Sequence, residues 1–139
     1  MGRVVTEARF ENLKDLWAVE QGLRSPEQAR AITIPDALVD TGATLLSLPT
    51  SLIQQLGLTQ FSSRRVTSST GPAEAALYDA VRLTIKGRSC TMDVLEVPDG
   101  VPALIGQIPL EYLDFVVDPQ SQSLIGNPAH GGEHILEMY

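Results

Sequence analysis

Turn residues cut this chain too often for it to hold a long helix or a long buried strand. Pro35-Asp36, Ser69-Thr70-Gly71-Pro72, Lys86-Gly87-Arg88, Pro98-Asp99-Gly100 and Asp118-Pro119 divide it into apolar runs of a few residues each. Several of those runs alternate. Val81, Leu83 and Ile85, then Cys90, Met92 and Val94 after the Lys86-Gly87-Arg88 turn, show the two-residue period of a half-buried hairpin. A second hairpin, long, polar and exposed, is expected from Val66 through Tyr78. Helical spacing is confined to short stretches: Leu13, Leu16 and Trp17 before Gly22, then Leu52, Ile53 and Leu56 between Pro49 and Gly57, then Pro109 to Leu113. Short strands, frequent turns and two or three small helices predict an all-β fold, closed and barrel-like.

With 139 residues the chain fits one domain, 1-139, and 43% apolar residues suffice for a core without staples. Aromatics make up only 5%, so that core must be Leu, Ile, Val and Ala. Residues 1-28 are taken as an N-terminal extension and 126-139 as an irregular tail. Net charge is −7, which argues against a nucleic-acid surface. No apolar run approaches the length of a membrane span and the start lacks a signal-peptide stretch, so no membrane partner and a cytoplasmic location are expected. The single cysteine, Cys90, has no partner for an internal disulfide and reads as a small buried apolar residue.

The chemistry centres on Ala37-Leu38-Val39-Asp40-Thr41-Gly42-Ala43-Thr44. An apolar strand ends on a carboxylate, and a hydroxyl and a glycine turn the chain away. The triplet alone is a weak signal, since an Asp that ends a strand often serves only the turn. Its context is more specific. The apolar run Ala103-Leu104-Ile105-Gly106 follows about 60 residues later, with the glycine-bearing hairpin between.

From about Ala29 to Ile125 this ordered set resembles the retropepsin-like aspartic proteases, the single-domain family of retroviral proteases and their bacterial relatives. It is similar to the bacterial-type members, which also carry a helix after the Asp-Thr-Gly turn. The resemblance implies an acid-protease barrel and a role for each part. Asp40 would be the catalytic carboxylate, Thr41 would bond across a dimer axis, and Gly42 would let the backbone pass close to the acid. Leu104 and Ile105 would pack behind the turn, with Gly106 permitting close approach. Ser69, Thr70 and Gly71 would tip a flap closing over a polypeptide substrate, with Ala43, Leu104, Ile105 and Gly106 also at the binding cleft. One carboxylate is half a site. Two a hydrogen bond apart share a proton, so one can take a proton from water while the other binds the scissile carbonyl. The chain holds no second such triplet, and a C2 homodimer would supply Asp40 twice. No cofactor and no metal enter this scheme. Ala43 offers no hydroxyl to favour the charged acid, which predicts a working pH less acidic than about 4.

The alternative function is a non-catalytic dimeric peptide-binding module on the same fold. His130-Gly131-Gly132-Glu133-His134 matches the His-x-x-Glu-His zinc pattern, but its glycines suit a helix poorly, and two solvent-facing histidines are expected instead. Trp17 is read as a packing residue and Tyr78 as a strand residue with a wet hydroxyl. Arg64-Arg65 is read as a solvated pair able to steer acidic peptides.

Overall fold

A computed structural model describes residues 3–68 and 70–137. Nine strands and three short helices form it: β1 (Val5–Asn12), α1 (Leu13–Glu20), β2 (Ala31–Val39), β3 (Leu46–Pro49), α2 (Thr50–Leu56), β4 (Gln60–Ser68), β5 (Gly71–Ile85), β6 (Arg88–Val97), β7 (Leu104–Ile105), α3 (Gln107–Leu113), β8 (Phe115–Asp118) and β9 (Ser123–Gly126). Single 3-10 turns lie at Pro26–Gln28 and Pro128–His130. The main sheet runs β1-β2-β7-β3-β6-β5-β4, and β1 also pairs with β5. That extra pairing closes six strands into a barrel and leaves β4 projecting with the free half of β5 as a two-stranded ribbon. The fold is therefore the closed, mostly-β barrel expected.

Alternation fills the barrel. Phe10 of β1, Leu46 and Leu48 of β3, Leu83 of β5, Val94 of β6 and Ile105 of β7 are fully buried. Burying a Leu, Ile, Val or Phe side chain contributes about 1.5–3 kcal/mol. Residues 1–28, set apart above as an extension, supply β1, which pairs with both β2 and β5 and buries Ala8 and Phe10. The barrel cannot close without it.

Three local expectations are corrected. Pro35-Asp36 does not turn the chain; both residues lie inside β2, opposite Glu7 alone, where the register shifts between Thr6 and Ala8. A bulge is where a strand tolerates a residue without an N–H. Helix α1 does not bury an apolar side: Trp17 is 58% exposed, while Asp15 is buried. The Asp15 carboxylate accepts from the Arg30 backbone N–H at 2.9 Å, Arg30 Nε at 2.8 Å and Arg24 at 3.0 Å. The Arg30 hydrogen bond outweighs burial and holds that carboxyl below its usual range. His130 does not face solvent. Its Nδ1 lies 2.6 Å from Asp114 Oδ2 and its Nε2 2.7 Å from Glu137 Oε1. Arg88 donates to the carbonyls of Leu113, Asp114 and Gly132 and stacks over Phe115, fastening the tail to α3. His134 is exposed, as expected.

The α2 and α3 ends follow their sequences. Gly57 caps α2 in the left-handed region at φ 65°. Asp114 does the same for α3 at φ 60°, a conformation Asp tolerates. Cys90 is buried in the core cluster, and burial pushes its thiol up to about 11. No helix among the described residues is long and apolar enough to cross a membrane.

Candidate active site

Three strands hold the Asp40 turn. β7 lies between β2, parallel to it, and β3, antiparallel to it, with Leu38 paired to Leu104 and Ile105 to Leu46. The Leu38 N–H donates to Ala103 O at 2.8 Å and the Asp40 N–H to Ile105 O at 3.0 Å. β2 therefore delivers Asp40 one residue past its last pair, at the rim of a packed core. The loop that follows is closed by the start of α3. Gly106, Gln107 and Ile108 N–H donate to the carbonyls of Leu45 (3.0 Å), Ala43 (2.8 Å) and Thr44 (3.0 Å). The first donors of a helix have no partner within it, and here loop carbonyls accept from two of them.

Gly106 is where the two segments touch. A Cβ there would fall 2.7 Å from Thr44 C, 2.8 Å from Leu45 N and against Leu45 O. Within the turn, Asp40 Oδ1 accepts the Gly42 N–H at 2.9 Å and the Ala43 N–H donates to Asp40 O at 3.1 Å. A Cβ on Gly42 would stand 3.2 Å from that same Oδ1. One carboxylate oxygen is thus fixed by backbone, and Oδ2 has no donor among the described residues. Asp40 is half-buried, whereas Thr41 and Gly42 are exposed.

The sheet has a second face here. Residues of one pleat alternate, so Val39, Ile105, Leu46 and Val94 turn to the core while their neighbours turn away. Those neighbours line up across the strands: Leu38 with Leu104, Leu104 with Ser47, Ser47 with Leu95, and Leu95 with Leu77. The four leucines are half-buried and Ser47 is 5% exposed. An apolar row broken by one hydroxyl therefore runs from beside Asp40 to the root of the β4–β5 ribbon. Ile105, expected at the cleft, lies on the core face and is fully buried. Tyr78 is also on the core side, half-buried opposite Val94, its hydroxyl donating to Glu96 at 3.4 Å.

The structure thus brings Asp40, Thr41, Gly42, Ala43, Leu104, Ile105 and Gly106 into one cluster. No hydrogen bond among the described residues joins Thr70 or Gly71 to the Asp40 turn. Thr70 and Gly71 sit where Ser68 Oγ donates to Gly71 O at 2.9 Å. Ser69 lies outside the described residues. Sequence reasoning missed Leu38, Ser47, Leu95 and Leu77. Their alternation is readable strand by strand, but the register that aligns them is not. A cavity of about 500 Å³ lies among Pro49, Ser51, Asp99 and Pro102, and Asp40 does not line it.

A sequence model of a family described as "Aspartyl protease" matches residues 32–129, from the second residue of β2 to the turn after β9. The chain belongs to that family, in its retropepsin-like form. No curated protein matches it as a relative. β1 and α1 precede the matched stretch, although β1 is one of the barrel's six strands.

Proposed function

We propose that the protein is an aspartic endopeptidase that works as a C2 homodimer, with the reacting water held between Asp40 of one protomer and Asp40 of its partner. The observation that carries this reading is the Asp40 turn. Its backbone is fixed by β7 and α3, one carboxylate oxygen is bound by Gly42 N–H, and the other has no donor among the described residues. Such an acid is oriented but incomplete, and Thr41 and Gly42, both exposed, would meet the second copy.

In the dimer, two close carboxylates hold one proton between them. The ionised one takes a proton from water as the oxygen attacks the peptide carbonyl carbon. The protonated one gives its proton to the carbonyl oxygen, forming a tetrahedral diol. When the C–N bond breaks, the leaving nitrogen takes the proton from the carboxyl that gained it from water, one diol hydroxyl gives its proton to the other carboxylate as the carbonyl reforms, and the pair again holds one proton. A polypeptide would lie extended over the Leu38–Leu104–Leu95 row, paired by its backbone with alternate side chains in pockets. The β4–β5 ribbon would close over it as a flap and exclude water. The apolar row favours apolar side chains at the cut.

Asp40→Asn tests the mechanism on an unfolded protein or peptide substrate. Cleavage should fall by at least about a thousandfold with the dimer intact. Undiminished cleavage rules the mechanism out. A wild-type dimer that binds extended peptides without cutting them would make the protein a binding module instead.

A further inference from the structure

We infer that Arg64, on the ribbon, recognises a carboxylate side chain of the substrate, so that the preferred peptides alternate apolar and acidic residues. The inference rests on the protease reading of Asp40 and extends it to the class of substrate.

Register decides which way Arg64 faces. Leu77 ends the apolar row, and two-residue alternation carries its face along β5 to Ala75, Ala73 and Gly71. Their partners on β4 are Ser62, Arg64, Val66 and Ser68, with no register shift between Ser62 and Ser68. Arg64 therefore shares the face of the row, while Arg65 lies on the opposite face against Glu74. Burial leans the same way: Val66, Gly71, Ala75 and Leu77 on the Arg64 face are half-buried, with Ser62, Arg64, Ser68 and Ala73 exposed, whereas on the other face Ala76 alone is half-buried and Ser63, Arg65, Thr67, Pro72 and Glu74 are exposed.

Arg64 also has nothing to hold. Its cross-strand partner is Ala75, and Ser62, Val66, Ala73 and Leu77 around it on that face carry no charge. No hydrogen bond or ion pair among the described residues engages it. Arg9, Arg24, Arg30, Arg82 and Arg88 are each engaged by a carboxylate or carbonyl. Arg3 and Arg65 are likewise without a hydrogen bond or ion pair among the described residues, but Arg65 lies on the opposite face of the ribbon. An extended peptide beneath the ribbon sends alternate side chains to the floor and to the roof. The floor is leucine and the roof carries a five-donor planar cation that matches a carboxylate in bidentate geometry. Two ribbons in a C2 dimer would place one such cation over each half of the peptide.

Paired peptides test this. Each pair has the same apolar residues at the cut and differs by Glu or Gln at one flanking position, scanned along the peptide. Cleavage is measured on wild type, Arg64→Gln, Arg64→Glu and Arg65→Gln, and affinity for the same peptides is measured on the uncleaving Asp40→Asn dimer with and without Arg64→Gln. Wild type should prefer Glu by about fivefold to tenfold in kcat/KM at one or more positions, less at high salt. The ratio should fall to about one in Arg64→Gln, reverse in favour of Gln in Arg64→Glu, and persist in Arg65→Gln. A ratio unchanged by Arg64→Gln, or lost in Arg65→Gln alone, overturns the inference. Cleavage with no Glu preference overturns Arg64 recognition and leaves the protease reading standing. A Glu preference in binding that depends on Arg64, with no cleavage by wild type, does the reverse.

Discussion

Gly106→Ala isolates the contact that holds the Asp40 turn. Gly106 sits at φ −84°, ψ −174°, which any residue adopts, so the whole cost is steric. The new methyl meets backbone of Thr44 and Leu45, which cannot swing aside as a side chain would. Overpacking of this kind costs about 1–3 kcal/mol. The Gly106 N–H to Leu45 O hydrogen bond spans the same gap and its loss adds about 1 kcal/mol. Removing a glycine from the unfolded chain returns about 0.4–1 kcal/mol. The sum is a destabilisation of about 2–3 kcal/mol, a large share of a margin of about 5–15 kcal/mol. For a chain of this size that lowers Tm by about 10 °C. Thermal and urea unfolding read it directly. Gly42→Ala is the contrast: its Cβ would press only on Asp40 Oδ1 at 3.2 Å, a side-chain atom. It should leave Tm within about 2 °C and lower cleavage by displacing the carboxylate. A Gly106→Ala protein that melts within about 2 °C of wild type would refute the packing argument.

Two further predictions concern groups outside the turn. The hydrogen bond to Glu137, joined by that to Asp114, raises the His130 pKa above its ordinary value against the effect of burial. A raised histidine stabilises fully below its unfolded value of about 6.5, and the contribution is lost as pH rises through the folded value. NMR titration should place His130 above that ordinary value, and residues 133–137 should become protease-sensitive as pH passes its folded pKa; titration at or below it contradicts the latch. Burial pushes the Cys90 thiol up to about 11, so it should resist thiol reagents in the folded protein and react on unfolding. Rapid labelling of the native state would show that β6 is not packed as described.

The sequence made some of this legible and hid the rest for identifiable reasons. Asp40-Thr41-Gly42 and Leu104-Ile105-Gly106 were readable because each needs particular residue types: an acid with a glycine whose Cβ would press on its Oδ1, and a glycine at 106 where backbone leaves no room for a Cβ. The Val81–Val94 hairpin was readable because its period and its Lys86-Gly87 turn agree. What failed depends on partners distant in the chain. Pro35 reads as a turn until β1 places Glu7 opposite it. Asp15 belongs on the wet side of α1 by pattern, and is buried because Arg24 and Arg30 come back to meet it. His130 faces inward because Asp114 and Glu137 flank it. The row Leu38–Leu104–Ser47–Leu95–Leu77 follows from two parallel pairings, β2 with β7 and β3 with β6, which no local pattern announces.

The shared site can be tested by mixing. Wild-type and Asp40→Asn subunits, equilibrated in equal amounts at fixed total concentration, form wild-type, mixed and variant dimers. If each water needs an Asp40 from both protomers, only the wild-type dimers cut, and activity settles at about a quarter of the unmixed value. Activity at about half, linear in the wild-type fraction, would mean that each subunit works alone and would contradict the account.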